Sequence, residues 1–159
     1  MLAVLENFYV GSITKQSTMT QVLAQICKDL NARQIVEQDQ VVLKDLLARE
    51  KSGGLGIPGT RLALYHTRSA GLHDVSFSVY RLQESYPLKG MDDQPMEVES
   101  ILMMLAPKEM NQQALEVVSF ISGLIISHEQ TVALFETGTE SEIHAFISNQ
   151  LNEFHHSNF

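Results

Sequence analysis

At 159 residues, with 44% hydrophobic and 19% charged side chains, the chain is long enough to bury a core and has the make-up of a soluble globular domain. No apolar stretch approaches the roughly 18–20 residues of a membrane span, and Leu2-Ala3-Val4-Leu5-Glu6 after Met1 offers no basic flank or cleavage signal, so neither a transmembrane segment nor a secretory leader is expected. The net charge of −8 argues against nucleic-acid binding through this chain, and its single cysteine, Cys27, excludes an intrachain disulfide and suits a reducing compartment, with the cytoplasm the expected location.

Phe8–Val10 reads as a short strand before the turn-prone pair Gly11-Ser12. Met19, Val22, Leu23, Ile26, Cys27 and Leu30 then recur at three and four residues, predicting an amphipathic helix with Thr18 and Gln21 as its capping box. Cys27 falls on that apolar face and is expected to be inert packing. A second helix over 38–51 turns Val42, Leu43, Leu46 and Leu47 inward, carries Arg49 in its last turn and ends at Gly53-Gly54. Taken alone, Arg49 reads as a solvated residue well placed against the helix dipole.

Residues 52–69, SGGLGIPGTRLALYHTRS, concentrate the chemistry. A glycine-rich loop leads into a short apolar strand, Leu62–Tyr65, which ends at His66 and is followed at once by Thr67, Arg68 and Ser69. Ligands in open α/β sheets gather beyond the carboxyl ends of strands. An imidazole placed there beside donors and a cation suits the handling of an anion. Residues 52–90 hold four basic against two acidic side chains, whereas residues 91–159 hold one lysine and eleven acids. The positive excess therefore surrounds His66. The loop lacks the lysine and the following helix of a phosphate loop, but its glycines can present backbone N–H groups as a nest.

Val75–Leu82 alternates in the manner of a strand, and its polar face suggests an edge position. Met96–Ala106 ends in the continuous apolar run Ile101–Leu105, the mark of a strand buried on both faces, and Pro107 stops it. Residues 111–127 read as a helix apolar around most of its circumference, and 129–137 as a short helix closed by Gly138. Thr139 and Glu142 box a last helix with Ile143, Phe146, Ile147 and Leu151 inward, leaving 155–159 as a flexible tail. Strands and helices mix along the chain. The expected fold class is α/β, a single three-layer α/β/α sandwich with a mixed central sheet.

Of six histidines, His155 and His156 fall in the tail without convergent further ligands for a metal. His144 lies off an apolar face, His128 ends a helix, and His73 sits in a polar loop. His66 alone combines a strand end, a glycine loop and a Thr-Arg-Ser. Composition by itself leaves a hydrogen-bonded structural role for it as well supported as a functional one.

The succession of Arg-Glu at a helix end, a glycine loop, a short apolar strand and a histidine resembles the enzyme IIA domain of the mannitol/fructose class in the bacterial phosphotransferase system. More narrowly, LLAREK with LGIPGTRLALYHTRS and LMMLAP is similar to the IIA-like C-terminal domain of mannitol-operon transcriptional activators. The resemblance covers nearly the whole chain. It implies that His66 is the phosphorylated histidine and that Arg49 steadies the phosphoryl group. It implies HPr or another phosphoryl donor and a IIB or IIB-like domain as partners, no direct membrane contact and no cofactor or metal. The activity implied is that of a phosphotransfer component rather than a conventional turnover enzyme.

The physics of such a site calls for a neutral ring nitrogen as acceptor, with the other nitrogen held by a carbonyl. It also calls for positive charge and donors, for which Thr67, Arg68, Ser69, loop amides and Gln113 are the candidates. Two departures from the family stand out. The second active-site histidine of mannitol carriers is replaced by Asn111-Gln112-Gln113-Ala114, and Tyr65 occupies the position where carriers place a proline. These favour a regulatory phospho-acceptor over a phosphocarrier that feeds IIB, with a docking module that is never phosphorylated as a third reading.

Overall fold

A computed structural model describes residues 8–110, 112, 115–116, 119–120, 123 and 129–158. The chain divides into two compact units, residues 1–109 and 110–159. The first contains β1 (Phe8–Ile13), α1 (Met19–Ala32), α2 (Asp39–Lys51), β2 (Leu62–Ser69), β3 (Ser76–Lys89) and β4 (Pro95–Pro107). The second contains α3 (Glu129–Thr137) and α4 (Glu140–Asn158).

The four strands form one mixed sheet in the order β1-β3-β4-β2. β1 runs parallel to β3, β3 antiparallel to β4, and β4 parallel to β2. The fold is thus α/β with a mixed sheet, as the sequence suggests. The edge position expected for β3 is not found, because β1 and β2 are the edges. The polar face that prompted it is itself buried: Ser76 and Ser78 are fully enclosed, on the same side of β3 as Tyr80. On that side the Tyr80 hydroxyl donates to Asp29 Oδ2 on α1 at 2.8 Å.

Strand alternation sorts the sheet into two apolar faces. Ala63, Tyr65, Tyr80, Ile101, Met103 and Leu105 join Val22, Leu23, Ile26, Cys27 and Leu30 of α1 and Val42 and Leu46 of α2 in one core. Leu62, Leu64, Phe77, Val79, Leu102 and Met104 point to the opposite face and are equally buried. Each such fully buried leucine or phenylalanine contributes about 1.5–3 kcal/mol. The unbroken apolar run of β4 follows from this two-sided burial. Cys27 is 1% exposed, and burial pushes its thiol up to about 12, so it is packing rather than chemistry.

Local signals are realised closely. Thr18 Oγ1 accepts from the Gln21 N–H at 3.2 Å, while Gln21 Oε1 reaches back to the Ser17 N–H. Thr139 and Glu142 form a reciprocal box, each side chain accepting from the other's backbone N–H. α3 closes at Gly138, whose N–H donates to the Leu134 carbonyl at 2.6 Å. Within the second unit Phe135, Ile143 and Ile147 are buried, and Phe146 is half-buried.

Three boundaries differ from expectation. β1 runs straight through Gly11, where a side chain would collide with the rings of Tyr9 and Tyr80. β3 and β4 extend beyond the main sheet as a long hairpin, past an irregularity between Arg81 and Tyr86. α4 continues to Asn158 through the segment expected as a tail. The helix expected over 111–127 is helical at 112, 115–116, 119–120 and 123; its other positions, Gln113 among them, and His128 after it lie outside the described residues.

Candidate functional site

β2 does not end at His66. It continues to Ser69, pairing with β4 from Leu62↔Ser100 through Ser69↔Pro107. An edge strand needs only one paired side, so polar residues at its far end do not break it. This continuation decides which predicted site residues meet. His66 is half-buried, opposite Met104, and by alternation shares the sheet face turned away from α1 and α2. Arg68 shares that face and is exposed.

Thr67 and Ser69 point to the other face. The Ser69 hydroxyl is fully buried and accepts from the Gly71 N–H at 3.1 Å, and the Thr67 hydroxyl donates to the Arg68 carbonyl at 3.3 Å. The strand therefore does not bring these two hydroxyls to the imidazole, contrary to the expectation of a strand that ends at His66 with both hydroxyls beside the ring. No carbonyl among the described residues is found holding the His66 ring.

The glycine loop also does something other than expected. Its amides are engaged by backbone: Ile57 N–H donates to the Leu62 carbonyl, Leu64 N–H to the Leu55 carbonyl, and Leu55 and Gly56 N–H to the Lys89 carbonyl. The loop thus covers the outer edge of β2 as far as Leu64 instead of forming an anion nest. Gly54 is required because a Cβ there would run into the Gly90 carbonyl of the hairpin tip, and Gly59 adopts φ 79° at the turn into β2.

Arg49 reaches this site from the last turn of α2, a helix packed on β2. Its charge is felt at His66. Partial burial chiefly, and the Arg49 guanidinium in addition, lower the His66 pKa below the usual 6.5. Both causes disfavour imidazolium, so at neutral pH the ring is neutral and offers a nitrogen lone pair. A half-buried neutral imidazole with a guanidinium close by can attack an electrophile and hold the anion that results.

A second pairing ties the same two elements together. Tyr65, buried on the helix-facing side, donates its hydroxyl to Glu50 Oε2 at 2.6 Å. Burial, then the Glu50 hydrogen bond, then its charge raise the phenol's pKa, so the proton stays on Tyr65. Sequence reasoning missed this pair. The signal was present as two dipeptides, Arg49-Glu50 and Tyr65-His66, each joining a candidate site residue to a polar neighbour. A cleft of about 440 Å³ opens on the far side of Glu50, lined also by Lys51, Ser52, Gly54, Lys89 and Asp93; His66 is not part of it.

Known proteins share the fold of this chain. The family model described as phosphoenolpyruvate-dependent sugar phosphotransferase system, EIIA 2, matches residues 7–150. A Streptococcus mutans protein described as the transcriptional regulator MtlR is 27% identical over 99 residues, 62% of this chain but only 15% of the regulator's own length. Among solved structures, the nitrogen regulatory protein IIA-Ntr of Neisseria meningitidis superposes with a TM-score of 0.71 at 23% identity, covering 91% of this chain and 99% of that one. The Escherichia coli mannitol enzyme IIA, solved in complex with phosphorylated IIB, superposes with a TM-score of 0.57 at 17% identity, covering 88% and 94%. No helix among the described residues is long and apolar enough to cross a membrane.

Proposed function

Because the chain belongs to the EIIA 2 family of the phosphoenolpyruvate-dependent sugar phosphotransferase system, we propose that His66 is a phosphoryl acceptor and that the domain is a regulatory module of a mannitol-type operon regulator. The observation that supports this reading is a half-buried His66 whose pKa is lowered chiefly by burial and further by the Arg49 charge. The neutral ring nitrogen attacks the phosphorus of a phosphohistidine donor such as HPr in the cytoplasm. A nitrogen–phosphorus bond forms on His66 as the donor's breaks, and the bonding pair returns to the donor imidazole. Such a transfer asks the protein mainly for in-line positioning and charge stabilisation. Arg49 supplies the charge, and Arg68, on the same strand face, adds to it.

Regulation rather than onward transfer is favoured by the sequence Asn111-Gln112-Gln113, which lacks a second histidine, and by the likeness to the MtlR regulator. The opposing reading, a carrier that hands its phosphoryl group to IIB, draws on the fold shared with the mannitol enzyme IIA that was solved with phosphorylated IIB. Incubation with phosphoenolpyruvate, enzyme I and HPr, followed by intact-mass measurement, tests the proposal. One added phosphoryl group on the wild-type chain and none on His66→Ala is the expected result. An unmodified wild-type chain refutes phosphorylation, and a modified His66→Ala chain refutes the site. Addition of a IIB domain then separates the two readings, since rapid discharge supports the carrier.

A further inference from the structure

We infer that Tyr65 and Glu50 are a positioning pair that holds Arg49 at His66. The inference lies in the way the two dipeptides interlock. Arg49 and Glu50 are neighbours in the last turn of α2; Tyr65 and His66 are neighbours on β2. Successive strand residues point to opposite faces, so Tyr65 looks inward to the helix while His66 looks away from it. Tyr65 is rooted in the core, 0% exposed, and its hydroxyl donates to Glu50 Oε2 at 2.6 Å. That short charge-assisted bond joins the end of a helix, where backbone fraying begins, to a strand held by its ladder with β4.

The consequence follows from geometry. Arg49 belongs to a helix on one side of β2, whereas the ring lies on the far face, and the backbone cover of residues 55–57 stops at Leu64. A guanidinium on a long, flexible stem is useful there only if its backbone is fixed. With Glu50 pinned to Tyr65, the Cα of Arg49 is fixed against the strand that carries His66. Tyr65 and Glu50 touch neither the ring nor the phosphoryl group and act through Arg49 alone. The effect on transfer rests on the reading of His66 as phosphoryl acceptor; the effect on the ring itself does not.

Tyr65→Phe tests this, because it removes one hydroxyl and keeps the buried ring. The His66 ring resonances are titrated by NMR in the unphosphorylated full chain, and initial phosphorylation by HPr is measured alongside. Tyr65→Phe is expected to move the His66 pKa up toward its ordinary value and to slow phosphorylation roughly tenfold, as small misplacements of a catalytic group do. In an Arg49→Ala background Tyr65→Phe should change neither quantity further. Glu50→Gln, which keeps an acceptor oxygen, should retain most of the wild-type behaviour, whereas Glu50→Ala should match Tyr65→Phe. That series carries the test should Tyr65→Phe fail to fold. A His66 pKa unchanged by Tyr65→Phe, or shifted equally with and without Arg49, overturns the inference. A wild-type chain that takes no phosphoryl group refutes the proposed function instead and leaves the titration readable.

Discussion

Arg49→Ala removes the cation that adds to burial in lowering the His66 pKa, and its effect on the proposed phosphorylated state can be sized from charges held at contact distance. A phosphoryl group on the ring brings close to two negative charges. A pair of unit charges 4 Å apart attracts by about 1 kcal/mol in water and about 4 kcal/mol at an effective dielectric of 20. Both His66 and Arg49 are half-buried, which places the pair between those limits. Hydrogen bonds to charged groups, at about 1.5–3 kcal/mol, fall in the same range. A loss of about 2–3 kcal/mol corresponds to a phosphorylation equilibrium poorer by roughly 30- to 150-fold. The assay is the phosphorylated fraction by intact mass at a fixed ratio of phosphorylated to free HPr. Arg49→Lys, which keeps the charge but not the planar fork, should recover only part of the loss. The reasoning is refuted if Arg49→Ala reaches the wild-type fraction while the His66 titration also stays in place, since the guanidinium would then act on neither state of the ring.

Three further outcomes follow from the same structure. Because burial and Arg49 hold the His66 pKa below 6.5, the phosphorylation rate should be flat near neutrality and fall only as acid protonates the ring; Arg49→Ala should slide that fall to higher pH, as stopped-flow rates in a buffer series would reveal. The folded chain resists this proton more than the unfolded chain does, so His66 should cost stability as pH drops through 6.5 and below. Gly54→Ala must displace the Gly90 carbonyl and should lower unfolding free energy by about 1–3 kcal/mol in urea titrations.

Much of the frame was legible because local chemistry and tertiary packing agree. The Thr18–Gln21 and Thr139–Glu142 pairs cap the helices they announce, and Ile101–Leu105 is buried on both faces. His66 and Arg49 were proposed as partners from the family pattern rather than from spacing, and in the structure the Arg49 charge adds to burial in lowering the His66 pKa. What stayed hidden depends on pairing between distant segments. Thr67, Arg68 and Ser69 look like a loop, yet the ladder to β4 carries the strand through them and turns two of the three away from the imidazole. Ser76 and Ser78 look like a solvent face, yet they are fully buried. The glycine loop looks like an anion cradle, yet its amides serve β2 and the Lys89 carbonyl. In each case the packing or pairing of a remote segment decides the role, and residue type alone carries no record of it.

The cover that residues 55–57 lay along β2 stops at Leu64, one step short of Tyr65-His66. A small-molecule enzyme would enclose its reactive atom in a deep hollow to exclude solvent. On the proposed function, the acceptor ring stands at the rim left beyond that backbone cover, where a convex neighbour can bring its own side chain alongside. A rim of that kind is suited to exchange between two macromolecules, because each must present its reactive atom without first opening.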